Sequence, residues 1–187
     1  MSGYVSGAEK PQPDGLLLLN KVTLRYNKAE DRIRMDAQSG GGQVVAFWFT
    51  QRLCRELIKG FVNYFDKASP VTTRTLPHNL AAVQGFLHGK ARGSIKPASP
   101  VGDSGVQVEL INKLQMRASN NRVQIEFPLP EKTRAVLVMK PMEARQWLDI
   151  LYQQYLLADW SVDIWPDWVK SPQSNKEAPT LGDERVH

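Results

Sequence analysis

Seven cations and one tryptophan are spaced so that they could hold a polyanion. Lys21 and Arg25 alternate with Val22 and Leu24, and a few residues on, Arg32 and Arg34 alternate with Ile33 and Met35. Successive side chains of a strand point to opposite faces, so these segments put their cations on one face and their hydrophobes on the other. Lys113, Arg117 and Arg122 take the same places in a later stretch. If Phe47 and Phe49 turn inward, Trp48 stands outward beside these cations. A flat ring among Lys and Arg is how single-stranded nucleic acid is bound with little sequence preference, each stacked base contributing about 1–3 kcal/mol. The same pattern also serves a plainer end: a wet sheet face needs polar residues, and Lys or Arg guards an edge against strand addition.

Other chemistries find little support. The three histidines, His78, His88 and His187, have no second metal-ligating residue at helical spacing. Cys54 falls on an apolar helical stripe, where a small buried hydrophobe is expected rather than a nucleophile. Ser39-Gly40-Gly41-Gly42 lies between two strands, so no helix N-terminus backs it as a phosphate loop, and the Gly89-Lys90 pair lacks the rest of a Walker pattern. Glu30, Asp31 and Asp36 cluster at a hairpin, where turn chemistry accounts for acidic residues. The expectation is a non-enzymatic protein with no cofactor, catalytic residue or metal site. A further candidate is the strip holding Trp160, Trp165 and Trp168, too apolar to dangle. It either fills a groove on its own domain or anchors a protein partner or a second copy, since Trp is enriched at interface hot spots.

The elements that must position these residues say the same thing twice. Leu19-Asn20-Lys21-Val22-Thr23-Leu24-Arg25 reappears as Ile111-Asn112-Lys113-Leu114-Gln115-Met116-Arg117, a step of 92 from Lys21 to Lys113. The step is 90 from Arg32 to Arg122 and holds through Arg55 and Arg145, Phe61 and Leu151, Phe65 and Tyr155. Fixed-period self-similarity predicts two copies of one unit. In the first, period-two alternation places Leu16, Leu18, Val22, Leu24 and Tyr26 on the apolar side, a turn spans Asn27 to Asp31, and Val44 to Phe49 is apolar throughout. A helix capped by Thr50 then carries Leu53, Cys54, Leu57, Ile58, Phe61, Val62 and Phe65. Gly60 weakens that helix unless close packing needs the missing side chain.

The second copy runs Val106 to Arg117, Arg122 to Phe127 and Arg134 to Met139, then a helix opening at Pro141 with Ala144, Trp147, Leu148, Leu151 and Tyr155 on its apolar face. Asn20 and Asn112 interrupt the apolar parity in both copies, as residues bonding across a twofold axis or as bulge markers. The predicted fold is α+β: two tandem pseudo-symmetric β-β-β-α units, 16–68 and 106–158, with antiparallel sheets and packed helices sharing one core. A helical insert over Leu76 to Leu87 and a basic flexible linker fill 69–105, a Trp-rich docking segment spans 159–169, and 1–15 and 170–187 are disordered tails.

Composition sets the bounds. A chain of 187 residues that is 42% hydrophobic buries a real core without disulfides, and Cys54 has no partner thiol. The net charge of +5 concentrates in the middle, where Pro70 to Arg122 carries seven basic residues against Asp103 and Glu109. No leader or membrane span is read, so a cytoplasmic protein is expected. In element order, tandem sheet-then-helix units with a basic sheet are similar to the PUR-repeat and Whirly single-strand-binding folds. Three strands, a helical insert, three strands and a helix also resemble the head domains of certain DNA-repair and centriole scaffold proteins. The first resemblance implies a nucleic-acid ligand, the second a protein partner or self-association. The leading expectation is an interaction or scaffold module acting through Trp160, Trp165 and Trp168. The alternative is a single-stranded nucleic-acid binder using Lys21, Arg25, Arg34, Trp48, Lys113, Arg117 and Arg122.

Overall fold

The computed structural model describes residues 15–68, 77–102, 105–130 and 133–170. The two expected tails lie outside the described residues except for Gly15 and Lys170, as do His187 and the side chain of His78. The described elements run β1 (Leu16–Asn27), β2 (Arg32–Ser39), β3 (Val44–Phe49), α1 (Gln51–Ala68), α2 (Pro77–Gly93), β4 (Val108–Ile111), β5 (Gln115–Ser119), β6 (Arg122–Pro128), β7 (Arg134–Met139), α3 (Pro141–Leu157) and α4 (Asp167–Lys170).

The strands form one sheet rather than two, in the order β4-β3-β2-β1-β7-β6-β5. Pairing is antiparallel except where β1 meets β7 and β3 meets β4. The edge strands β4 and β5 are consecutive in the chain, with only Asn112 to Leu114 between them. Six strand spacings laid flat would part the edges by about 29 Å, whereas four residue steps reach about 14 Å at most. The sheet must therefore curl. Its interior confirms this: Phe127 of β6 stacks on Phe47 and Phe49 of β3, at 5.1 and 5.8 Å between ring centroids, although three strands separate β3 from β6.

Local chemistry sets the turns. Between β1 and β2, Glu30 N–H donates to Asn27 Oδ1 and Asp31 takes a left-handed φ of 47°, which a short polar side chain tolerates. Between β2 and β3 the chain reverses over Ser39 to Gln43, and Gly42 supplies a φ of 87°. Thr50 caps α1 as its sequence predicts, its Oγ1 accepting from Leu53 N–H at 3.2 Å. Pro141 opens α3, and Glu143 reaches back to accept from Lys140 N–H at 2.8 Å.

Two departures from simple alternation matter. Register slips between Leu19 and Lys21, so Asn20 sits in a bulge and the inward parity changes there. Leu17 and Leu19 are buried, and Leu18, expected inward, is 57% exposed. The expected single strand from Val106 to Arg117 is cut in two, because β4 joins β3 while β5 joins β6 at the opposite edge. The second half thus carries four strands where three were predicted.

The apolar stripes of α1 and α3 join the inward residues of the sheet in one cluster drawn from both halves. Tyr64 lies deeper than the predicted Val62. Gly60 has its reason in packing: a Cβ there would come within 2.6 Å of Met116 Sδ on β5. Helix α2 runs past the predicted Leu87 to Gly93, and its buried residues are Gln84, His88 and Ala91, while the expected Leu80, Val83 and Leu87 stay half-buried.

Candidate functional site

The outward face of the sheet gathers the predicted cations. Register aligns Arg25 with Arg34, Arg34 with Trp48 and Trp48 with Leu110, one row across β1, β2, β3 and β4. Leu24, Ile33, Met35, Phe47 and Phe49 are buried on the other side, as alternation requires. The Arg34 guanidinium stands 6.0 Å from the Trp48 ring, at the outer limit of a cation–π contact. Arg25 and Arg34 each donate to Asp36 at 2.8 Å, and Asp36 is wholly buried although it points outward.

Beside it docks the chain between α2 and β4. Val101 is 3% exposed and its N–H donates to Thr23 Oγ1 at 2.9 Å, and Thr23 is the register partner of Asp36. Residues 94–102 thus form a strap over the first half's outward face. The expected linker has a docked position at Val101.

The second half repeats the polar pattern without the cover. Arg117 pairs with Glu126 at 2.9 Å, Arg134 approaches the same carboxylate at 3.6 Å, and Gln124 Nε2 donates to it at 2.8 Å. Around them opens a cleft of about 500 Å³ whose walls include Lys113, Arg117, Glu126, Leu129 and Arg134. Three cations face one carboxylate there. Arg122 is exposed at the start of β6, and Lys21 is half-buried on β1. The two cation groups flank the β1/β7 seam, whose outward residues include the exposed Leu18 and Val138.

The three candidate tryptophans pack on their own chain. Trp165 is 2% exposed, edge-on to Tyr152 and Tyr155 at 5.0 and 5.2 Å. Trp160 meets Tyr26 and Tyr155 and donates from Nε1 to Asp31 Oδ1 at 3.0 Å. Trp168 lies edge-on to Phe65 and His88, with the Arg145 guanidinium 5.6 Å from its ring.

Beneath Trp168 lies a polar clamp that the sequence reading missed. His88 Nε2 lies 3.3 Å from Asp149 Oδ1, Arg92 donates to the same oxygen at 2.7 Å, and Arg92 also donates to the Val169 carbonyl at 2.9 Å. Burial alone would push the Asp149 carboxyl up, but the hydrogen bonds from His88 and Arg92 and the Arg92 charge outweigh it, holding it below the usual carboxylate range. One turn away, Gln84 accepts from Arg145 and donates to the Phe65 carbonyl at 2.7 Å, and the Arg145 guanidinium sits 4.1 Å over the Phe65 ring. The available signal was spacing: Gln84, His88 and Arg92 step by four along α2, and Arg145 and Asp149 step by four along α3.

Burial pushes the Cys54 thiol well above its ordinary range, so at neutral pH it is protonated and enclosed. Among the described residues no group of three or more His, Cys, Asp or Glu is placed to hold a metal ion, and no helix is long and apolar enough to cross a membrane. No protein-family model matches this chain, and neither a curated protein nor a solved structure matches it significantly.

Proposed function

We propose that this protein is a non-enzymatic binding module that takes single-stranded nucleic acid on the outward face of its curled sheet, chiefly at the uncovered cleft between β5 and β7. The observation that carries the reading is that cleft: among the described residues, Lys113, Arg117 and Arg134 line it with Glu126 as the one carboxylate, so these walls stay net positive after pairing. Phosphates would meet guanidinium forks and a lysine, and the exposed apolar seam at Leu18 and Val138 offers a surface against which bases can rest. The test is anisotropy of a labelled oligothymidylate with the full chain at stepped salt. Contact with about four phosphates gives a log–log salt slope near −3. No binding at low ionic strength removes the reading.

We further propose that the two halves derive from one duplicated unit. Supporting this, the Arg25–Asp36 pair has its counterpart in Arg117–Glu126 at steps of 92 and 90, and the Arg34 bond to Asp36 has its counterpart in Gln124 and Glu126. Likewise, each of the two parallel pairings brings the opening residues of one half beside the third strand of the other.

A second reading is a scaffold acting through protein contacts or self-association. It is favoured by Leu156 and Leu157, half and 70% exposed at the end of α3. Sedimentation of the wild type and of a Leu156→Ser/Leu157→Ser variant tests it: a self-complex lost in the variant favours the reading, and a monomer in both rejects self-association.

A further inference from the structure

Between the last turns of α1, strand β5 and the start of α3 are two adjoining clefts of about 370 and 150 Å³. Together they are of the size of small-molecule sites. Tyr64, Ala68 and Asn120 line both, so the tyrosine stands at their common wall. Tyr64 is only 6% exposed, and among the described residues its phenol oxygen is buried with no hydrogen-bond partner. An unpaired buried hydroxyl costs about 1–3 kcal/mol, a cost a ligand oxygen would relieve. The rest of the lining sorts by polarity. Gly60, Met116, Ala118, Phe65, Leu87 and Met142 supply apolar wall, while Lys67 stands at the larger cleft and Arg145 at the smaller. Arg145 donates to Gln84 and lies over the Phe65 ring, and burial pulls it down to about 10 against the opposing pull of Tyr64 and Asp66. Asp66 lines neither cleft.

We propose that these clefts form one binding site for a small amphipathic acid, its carboxylate accepting from the Tyr64 hydroxyl between Lys67 and Arg145 and its apolar body lying along Met116 and Ala118. The site is separate from the cationic cleft on the outward face, with which it shares no lining residue. It requires no chemical step, so it stands whether or not the protein binds nucleic acid.

The experiment uses the full chain and three probes of equal length: decanoate, 1-decanol and decylammonium, titrated by calorimetry and by tyrosine ring shifts in NMR. Saturable decanoate binding is expected, with the alcohol about tenfold weaker for want of a charged acceptor and the ammonium weaker still. Tyr64→Phe should weaken decanoate about tenfold and leave the melting temperature unchanged or raised, since it deletes only an unpaired hydroxyl. Ala118→Leu, filling the apolar wall, should abolish binding. The proposal is overturned if decanoate does not saturate, if all three probes bind equally, or if decanoate binds both variants as it binds the wild type.

Discussion

The two flanks of the outward face carry the same salt-bridged motif, with a buried carboxylate in each but a shielded arginine, Arg34, only in the first. On β1 and β2, Asp36 holds the half-exposed Arg25 and the shielded Arg34 beside a strap anchored by Val101 and is itself cut off from water. On β5, β6 and β7, Glu126 holds Arg117 and Arg134 at the edge of an open cleft. The pair of Arg34 with Asp36 fixes structure, because Asp36 left without its arginines would be a buried charge. Around the buried Glu126 both guanidiniums are more than half exposed, so these pairs contribute less to stability and the arginines stay available to exchange partners. The difference teaches that residue type alone does not make a cation a binding residue; the chain laid over it decides.

Four outcomes would break or sharpen that contrast. The largest is in stability: Asp36→Ala should cost about 3 kcal/mol by removing the fully buried carboxylate to which Arg25 and Arg34 donate, and Glu126→Ala about 1 kcal/mol, its arginines being more than half exposed, measured as urea midpoints at constant slope. Equal losses would erase the distinction between the flanks. Next, charge reversal should separate them in binding: Arg117→Glu with Lys113→Glu should weaken oligothymidylate about tenfold, whereas Lys21→Glu with Arg25→Glu should change it less than about twofold. Third, Val101→Asp should release the strap, seen as new proteolytic cleavage within 94–102, and should raise oligonucleotide affinity about threefold by uncovering the first flank. A protease-resistant strap in that variant would show that Val101 is not its anchor.

The smallest effect concerns acid. The Asp149 carboxyl is held below the ordinary aspartate value of 3.8, so its contribution is fully present above that value and fades as pH falls through the lower folded one. Because Arg92 sits at the end of α2 where the strap begins, amide exchange in α2 and 94–102 should rise below about pH 3.8 before the sheet opens. An Asp149→Asn variant should exchange at the acid rate already at neutral pH.

Much of this was legible before any coordinates. Alternation gave the inward Leu24, Ile33, Met35, Phe47 and Phe49 and the outward cations, because a half-buried strand writes its two environments on alternate residues. The stripes of α1 and α3 were readable for the same reason at helical period. What escaped was whatever depends on a distant partner. Asn20 was readable as a bulge marker; that the bulge turns Leu18 to solvent was not. The cut at Asn112 to Leu114 follows from β4 and β5 choosing different neighbours. Helix α2 hides a polar stripe instead of an apolar one, so a search for buried leucines picks the wrong side. The strap reads as linker since Gly, Ser and Pro describe its conformation and not where it lies. The clefts beside Tyr64 need a third dimension altogether.

The three residues from Asn112 to Leu114 tie one rim of the sheet to the other. Both rims are short, four residues in β4 and five in β5, and each is leashed to its opposite. A foreign strand seeking an unpaired backbone to extend finds only brief, bent stubs, so the fold resists runaway strand addition between molecules through its own connectivity.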